Sequence, residues 1–411
     1  MKKRGIPAWL SSPLFLPLVS AIACISVMYG RNHGKLLLPE DSAYLALTGA
    51  RNLASSVARG LESGAMTLPQ LENPLYAAIV LPGALLCRLG EYFAPAIWLI
   101  LLGLGFSWWL IRTVKSLGKL LVGGWAGDAL VVALGVSSPI VVAMFSCGGV
   151  GLQAVIVAAL WLSWIDSGQG RSRLWWLSPF IFSFASVFSG SNGWTYPLVC
   201  ALTAAYFYSR AGGIHSRRVW PAILIGFIPA LLMAATWTSG NGIFYGSIPE
   251  TYFPSVLWLS KSYSLIPPII WQGIWPASVN PVMLPGAGLL FLLGLMQPGN
   301  NRIWCVMGGL IVLVGVINGG MLSVSSFTPF IVISFSGIVR LSEMVPESWR
   351  KGLLKTAVWG WILCAVIGLV LNIDQYGEKS ARALSGTVNM MGKIPAKYSG
   401  MILADNPGLA A

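Results

Sequence analysis

An all-α, polytopic transmembrane helical bundle is the fold class that this sequence predicts, and three observations predict it. The first is composition: 56% of the 411 residues are hydrophobic and only 9% are charged, with a mean hydropathy of +0.74. A soluble domain of this size cannot bury that much apolar surface. The second is the recurrence, from Pro13 to Leu371, of apolar runs of about 20 residues, the length that crosses a bilayer core as a helix. The third is the placement of Lys and Arg. They collect in alternate polar breaks, as expected when bases are retained on the cytoplasmic side.

The N-terminal stretch MKKRGIPAWLSSPLFLPLVSAIACISVMYG puts its bases first and its apolar run over 13–30. It lacks the small-residue pattern of a cleavage site, so it reads as a retained first helix with a cytoplasmic N-terminus. A polar first external loop follows over 31–72. From Asn73 to Ile111 the chain is largely apolar but broken by Pro and Gly. That pattern predicts one crossing plus an interfacial or re-entrant piece near 73–90. Further spans are expected over 120–145, 148–165, 175–190, 195–209, 219–236, 280–296, 303–322, 324–339 and 356–372, giving about eleven in all.

In this register the basic clusters 2–4, 112–119, 171–173, 210–218 and 340–355 face the cytoplasm, as does Arg302. The Pro-, aromatic- and Ser-rich residues 240–280 read as an external loop lying on the membrane, with Trp and Tyr at headgroup depth. One membrane domain is expected over 1–372, with an external C-terminal tail over 373–411. A bacterial cytoplasmic membrane is the expected compartment.

Several function classes find little support. The net charge of +13 is the topological excess of a membrane chain rather than a nucleic-acid footprint. The 6 Cys are scattered singly through apolar segments, which implies no disulfide or zinc framework. His33 and His215 fall on opposite sides of the membrane, so no metal site is expected from them. Asp128, near the cytoplasmic start of a span, keeps a transporter reading open. No repeat of fixed period supports that architecture.

The stretch EDSAYLALTGARNLA, starting at Glu40, places two carboxylates just past the first span. They read in two ways. Asp41 caps the first turn of a helix, worth about 0.5–2 kcal/mol, with both charges favoured by the dipole. Alternatively a carboxylate at the membrane surface, its pKa raised by partial burial and a like-charged neighbour, serves as a base.

DSAYLALTGARNL (Asp41–Leu53) resembles, without a gap, the first external loop of the GT-C superfamily of polyprenyl-phosphate-sugar glycosyltransferases, where a DDAYISLRYARNL-like motif carries the catalytic acid. Other landmarks follow in order. NPLY (Asn73–Tyr76) is similar to that family's NPLW, and FYGSIPETYF (Phe244–Phe253) to its YGSLLPNTFY loop. The tail GKIPAKYSGMILADNPGLA (Gly392–Ala410) resembles its C-terminal ending.

The resemblance implies a GT-C-like bundle with a helical first external loop. It also implies transfer of a sugar from a polyprenyl-phosphate donor to a sugar, lipid or protein acceptor. Asp41 is then the expected base, with Glu40 second. Arg51, Arg31, Lys35 and Lys261 are the candidates for holding the phosphate. Asn52, Glu250, Tyr245 and Gln153 fall in or near the matched stretches and are further site candidates. Membrane lipid is the expected environment, a membrane-protein partner is compatible with it, and nucleic acid is not expected.

The chain also departs from that family. Its second acidic position is Ser42, its Arg is Thr48, its second-loop Glu falls at Gln153, and its RPEG becomes GSNG at Gly190–Gly193, with Asn192 inside. A divalent cation wants several oxygen ligands with sufficient negative charge. Asp41 with Glu40 beside it is thin provision for such an ion, so no cofactor is expected, a divalent cation being the alternative. A metal-independent transferase and a non-catalytic, lipid-binding or assembly subunit are both consistent with these losses.

Overall fold

The computed structural model describes residues 7, 9–10, 12–31, 47, 50, 73–86, 93–145, 149–169, 174–190, 193–212, 217–238, 287–299, 301–319 and 324–391. Among them every regular element is a helix. In chain order these are α1 (Phe15–Arg31), α2 (Pro74–Leu86), α3 (Phe93–Leu117), α4 (Gly124–Gly135), α5 (Ser138–Phe145), α6 (Gly149–Gly168) and α7 (Leu177–Val187). They continue with α8 (Thr195–Gly212), α9 (Val219–Thr238), α10 (Ala287–Leu295), α11 (Asn301–Gly319), α12 (Val324–Met344) and α13 (Glu347–Met391). Leu47 and Ala50, inside the first loop, are helical and belong to the buried core. Helix at these two positions agrees with the expected helical character of that loop.

Among the described residues four stretches are long and apolar enough to cross a membrane: Ile97–Val122, Gly149–Gly168, Val324–Met344 and Glu347–Leu371. The pair α4–α5 makes a fifth if it is one broken span, bent by 53°. Shorter apolar helices accompany them at Phe15–Val27, Pro74–Gly83, Leu177–Val187, Val219–Leu232 and Asn301–Ile317. The chain is thus a multi-pass, all-helical membrane protein.

Burial sorts the long helices. The α12 window is 78% buried and the α13 window 28%. So α12 is central, and α13 turns Trp359, Leu363, Val370 and Leu371 outward, where lipid would cover them. Small and hydroxyl residues let α12 take that position. A methyl on Gly337 would run into the Leu290 carbonyl, and one on Gly294 into the Ile333 carbonyl, so α10 and α12 touch backbone to backbone. The Ser334 hydroxyl donates to the Phe330 carbonyl at 2.8 Å and so satisfies itself within the helix. The Trp161 indole of α6 donates to the Trp304 carbonyl of α11 at 3.0 Å, across 143 residues of chain.

The 73–111 region holds two antiparallel helices. The Tyr76 and Phe106 rings lie 6.4 Å apart, and further along α2 Gly83 packs against the Trp98 indole. With 13 residues, α2 is about 20 Å long, short of a bilayer core of about 30 Å. A π turn over Gly118–Val122 ends α3, and Gly123 (φ 79°) and Gly124 (φ 50°) reverse the chain in a conformation that glycine tolerates.

Two ends of the bundle are defined by contacts. The N-termini of α2, α6, α8 and α12 and the C-terminus of α7 share one end. At the other, Gly168 packs on Trp304, Ser336 Oγ donates to the Leu121 carbonyl, and Arg350 donates to the carbonyls of Ser342 and Glu343 at 3.2 Å. This second end carries Lys119, Arg210, Arg217, Arg218, Arg302 and Arg340. If the charge rule applies, it is cytoplasmic. A reporter fused after Ile373 is then expected to behave as periplasmic and one after Arg173 as cytoplasmic, and the opposite result at both junctions would invert the topology.

Candidate functional site

The end opposite the bases is built around the Asn73–Tyr76 stretch. Asn73 precedes Pro74, and its Oδ1 accepts the Tyr76 backbone N–H at 3.0 Å. That is an N-cap followed by proline at the first helical position, where no N–H is lost, and the cap is worth about 1 kcal/mol. The same side chain reaches across the bundle, its Nδ2 donating to the Ser189 carbonyl at 2.5 Å. The Leu75 N–H bonds the Phe188 carbonyl at 3.0 Å. Two hydrogen bonds therefore seat the start of α2 on the turn between α7 and α8. Gly149, the first residue of α6, lies against the Asn73 amide and has no room for a side chain.

That turn is fixed from within. The Ser186 hydroxyl donates to the Gly193 carbonyl at 2.7 Å and the Ser189 hydroxyl to the Ser186 carbonyl at 2.8 Å. The Gly193 N–H bonds the Gly190 carbonyl at 2.9 Å. A methyl on Gly193 would run into the Ser186 carbonyl. Gly190 faces the Gln153 amide of α6, whose Nε2 stands 3.0 Å from where a Cβ on Gly190 would lie. Just beyond the turn, the Tyr196 hydroxyl shares a buried hydrogen bond of 2.9 Å with Ser325 Oγ, pinning the start of α8 to that of α12.

Of the sequence-predicted site residues, Gln153 is described completely, and it lies half-buried in this cluster. Arg31 is the last residue of α1. Glu40, Asp41, Lys35, Arg51, Asn52, Tyr245, Glu250 and Lys261 lie outside the described residues. Asn73, Ser189, Tyr196 and Ser325 were not among the candidates. An Asn-Pro pair opening an apolar run was the available signal for Asn73 as a cap. For the other three no local signal exists, because their partners are distant in sequence.

The described cluster is neutral: amides from Asn73 and Gln153, hydroxyls from Ser189, Tyr196 and Ser325, and backbone carbonyls. Asn73, Ser189, Tyr196 and Ser325 spend their polar atoms on one another and on the backbone, so they fix the shape of this end of the bundle. The cluster is a poor donor set for a divalent cation, which needs charged oxygens. Among the described residues no group of three His, Cys, Asp or Glu stands close enough to hold a metal.

No protein-family model matches the sequence, and no curated protein matches it. Solved structures do. The ArnT of Cupriavidus metallidurans bound to undecaprenyl phosphate is similar over 96% of this chain and 84% of its own, with TM-score 0.54 and 14% identity. Its apo form gives TM-score 0.53 and 13% identity, over 96% and 83% of the two chains. The apo oligosaccharyltransferase of Archaeoglobus fulgidus gives TM-score 0.51 and 9% identity over 94% of this chain and 58% of its own. At such identities the likeness shows the fold alone, the helical bundle of these two proteins running through nearly the whole chain.

Proposed function

We propose that the protein transfers a sugar from a polyprenyl-phosphate-linked donor to an acceptor hydroxyl at the external face of the membrane, with Asp41 as general base. One observation carries the proposal: three stretches that match or replace GT-C landmarks, Asn73–Tyr76, Gln153 and Gly190–Gly193, meet at one end of the bundle although far apart in sequence. A bundle of matching fold in ArnT is solved with undecaprenyl phosphate bound.

In this reading Asp41 takes the proton as the acceptor oxygen attacks the anomeric carbon. The bond from that carbon to the phosphate oxygen breaks, and polyprenyl phosphate leaves with the electron pair. Arg51, Arg31, Lys35 and Lys261 are the cations available to the departing phosphate. The phosphate is already a good leaving group, so positioning and one base carry most of the work. No step is assigned to a metal.

A second reading is favoured by the neutral residues at Gln153 and Gly190: a GT-C-like subunit that binds lipid or a partner protein and turns nothing over. Purified protein given a polyprenyl-phosphate sugar separates the two. A transferase is expected to release polyprenyl phosphate only when an acceptor is present, with little effect of chelators. Lipid binding without release across a panel of donors supports the subunit. Movement of solute across vesicles without cleavage would mark a carrier. Inhibition by chelator reversed by one metal would contradict the metal-poor site.

A further inference from the structure

At the basic end, between α7, α8 and α9, two arginines rest on aromatic rings. The Arg218 guanidinium carbon lies 5.4 Å from the Trp175 ring centroid and 5.9 Å from that of Tyr208, and Arg210 lies 5.9 Å over Tyr206. Trp175 is itself held, its carbonyl accepting the Ser167 hydroxyl at 2.6 Å and its ring packing edge-on to Tyr208 at 5.5 Å. Arg218 is therefore a positioned, half-buried cation. Among the described residues no carboxylate pairs with it; the ion pair they form is Arg340–Glu343, and Asp166, beside Ser167, has an interaction of its own. Under the guanidinium, Tyr208 is 4% exposed and its hydroxyl has no hydrogen-bond partner among the described residues. A buried hydroxyl without a partner is costly and marks a place where a polar group is missing.

The outward sides of the three helices are apolar, with Ile181 of α7, Leu202 of α8 and Leu224 of α9 each about half exposed and Trp176, Tyr206 and Trp220 exposed nearer the basic end. We infer that this corner binds the headgroup of an anionic phospholipid. Arg218 and the Tyr208 hydroxyl donate to the phosphate oxygens, Arg210 and Arg217 add charge, and the acyl chains follow Ile181, Leu202 and Leu224. Charge complementarity selects this occupant: a positioned guanidinium and the unpaired donor beside it match a phosphate. A zwitterionic lipid brings an ammonium that the arginines repel, and a soluble phosphate leaves the apolar face uncovered. The site lies at the end opposite Gln153 and does not depend on sugar transfer.

The test uses full-length, delipidated protein in detergent, titrated with phosphatidylglycerol or phosphatidylcholine and read by native mass spectrometry. Phosphatidylglycerol is expected to bind saturably and about tenfold tighter than phosphatidylcholine, with Arg218→Gln losing about tenfold. The control Lys351→Gln/Lys355→Gln, which removes more charge at the same end, is expected to lose less than about twofold. Tyr208→Phe keeps the ring under Arg218; it is expected to weaken phosphatidylglycerol binding several-fold while leaving the lipid-free melting temperature unchanged or raised. A purely packing role for the hydroxyl would not separate those two readouts. Equal losses in Arg218→Gln and the lysine control, or equal affinity for both lipids, overturn the site. Should Arg218→Gln fail to fold, unchanged binding in Tyr208→Phe overturns it alone.

Discussion

Asp41→Asn is expected to reduce sugar transfer by about a hundredfold to ten-thousandfold, the usual contribution of a positioned base. The substitution keeps the shape of the side chain, and asparagine serves as a helix cap as well as aspartate does wherever one is needed. Expression and thermal stability should therefore be close to those of the wild type, which separates chemistry from folding. Glu40→Gln, one residue away, should lose far less. The measurement is release of polyprenyl phosphate in the presence of acceptor. Wild-type activity in Asp41→Asn would remove Asp41 as the base and favour the binding subunit.

Gly193→Ala is expected to have the largest effect on stability among single methyl additions near the site. Its new Cβ would meet the Ser186 carbonyl, a backbone atom already accepting the Ser189 hydroxyl at 2.8 Å, so no flexible side chain can give way. Overpacking costs typically about 1–3 kcal/mol, and a backbone obstacle puts this case at the upper end. The loss should appear as a lowered melting temperature in detergent, with loosening of the turn that seats Asn73 and faces Gln153. Gly105→Ala is the control. Among the described residues nothing lies within 4 Å of a Cβ there, so the helix-propensity gain of up to about 1 kcal/mol stands unopposed. A Gly193→Ala protein as stable as wild type would mean that the turn is more yielding than its hydrogen bonds imply.

Legibility in the sequence followed the range of the interactions. Continuous apolar runs announced α6 and α12, because hydropathy reads the solvent that each residue meets. The same measure is blind to a bend: 120–145 read as one span, whereas the chain breaks by 53° between α4 and α5, just where Ser137, Ser138 and Pro139 fall. The proline was visible, but hydropathy averages over it. At the site, Gln153 was picked out by alignment to a motif, while its neighbour across the turn, Gly190, entered only as a position of loss. Their meeting is a through-space fact that no local pattern encodes. The Tyr196–Ser325 bond, 129 residues apart, is of the same kind.

The indole of Trp161 has consequences for how the protein is made. Its hydrogen-bond acceptor, the Trp304 carbonyl, belongs to a segment synthesised 143 residues later. Helix α6 must therefore enter the bilayer and wait with that donor unanswered, held meanwhile by neighbours already inserted, such as α3. Insertion and assembly are separate events in this chain. Ribosomes translating at about 5–20 residues per second make the delay on the order of ten seconds. Over that interval the half-built bundle has an open flank where α11 and α12 will dock, and the last third of the polypeptide acts as the closing wedge of an already membrane-embedded intermediate.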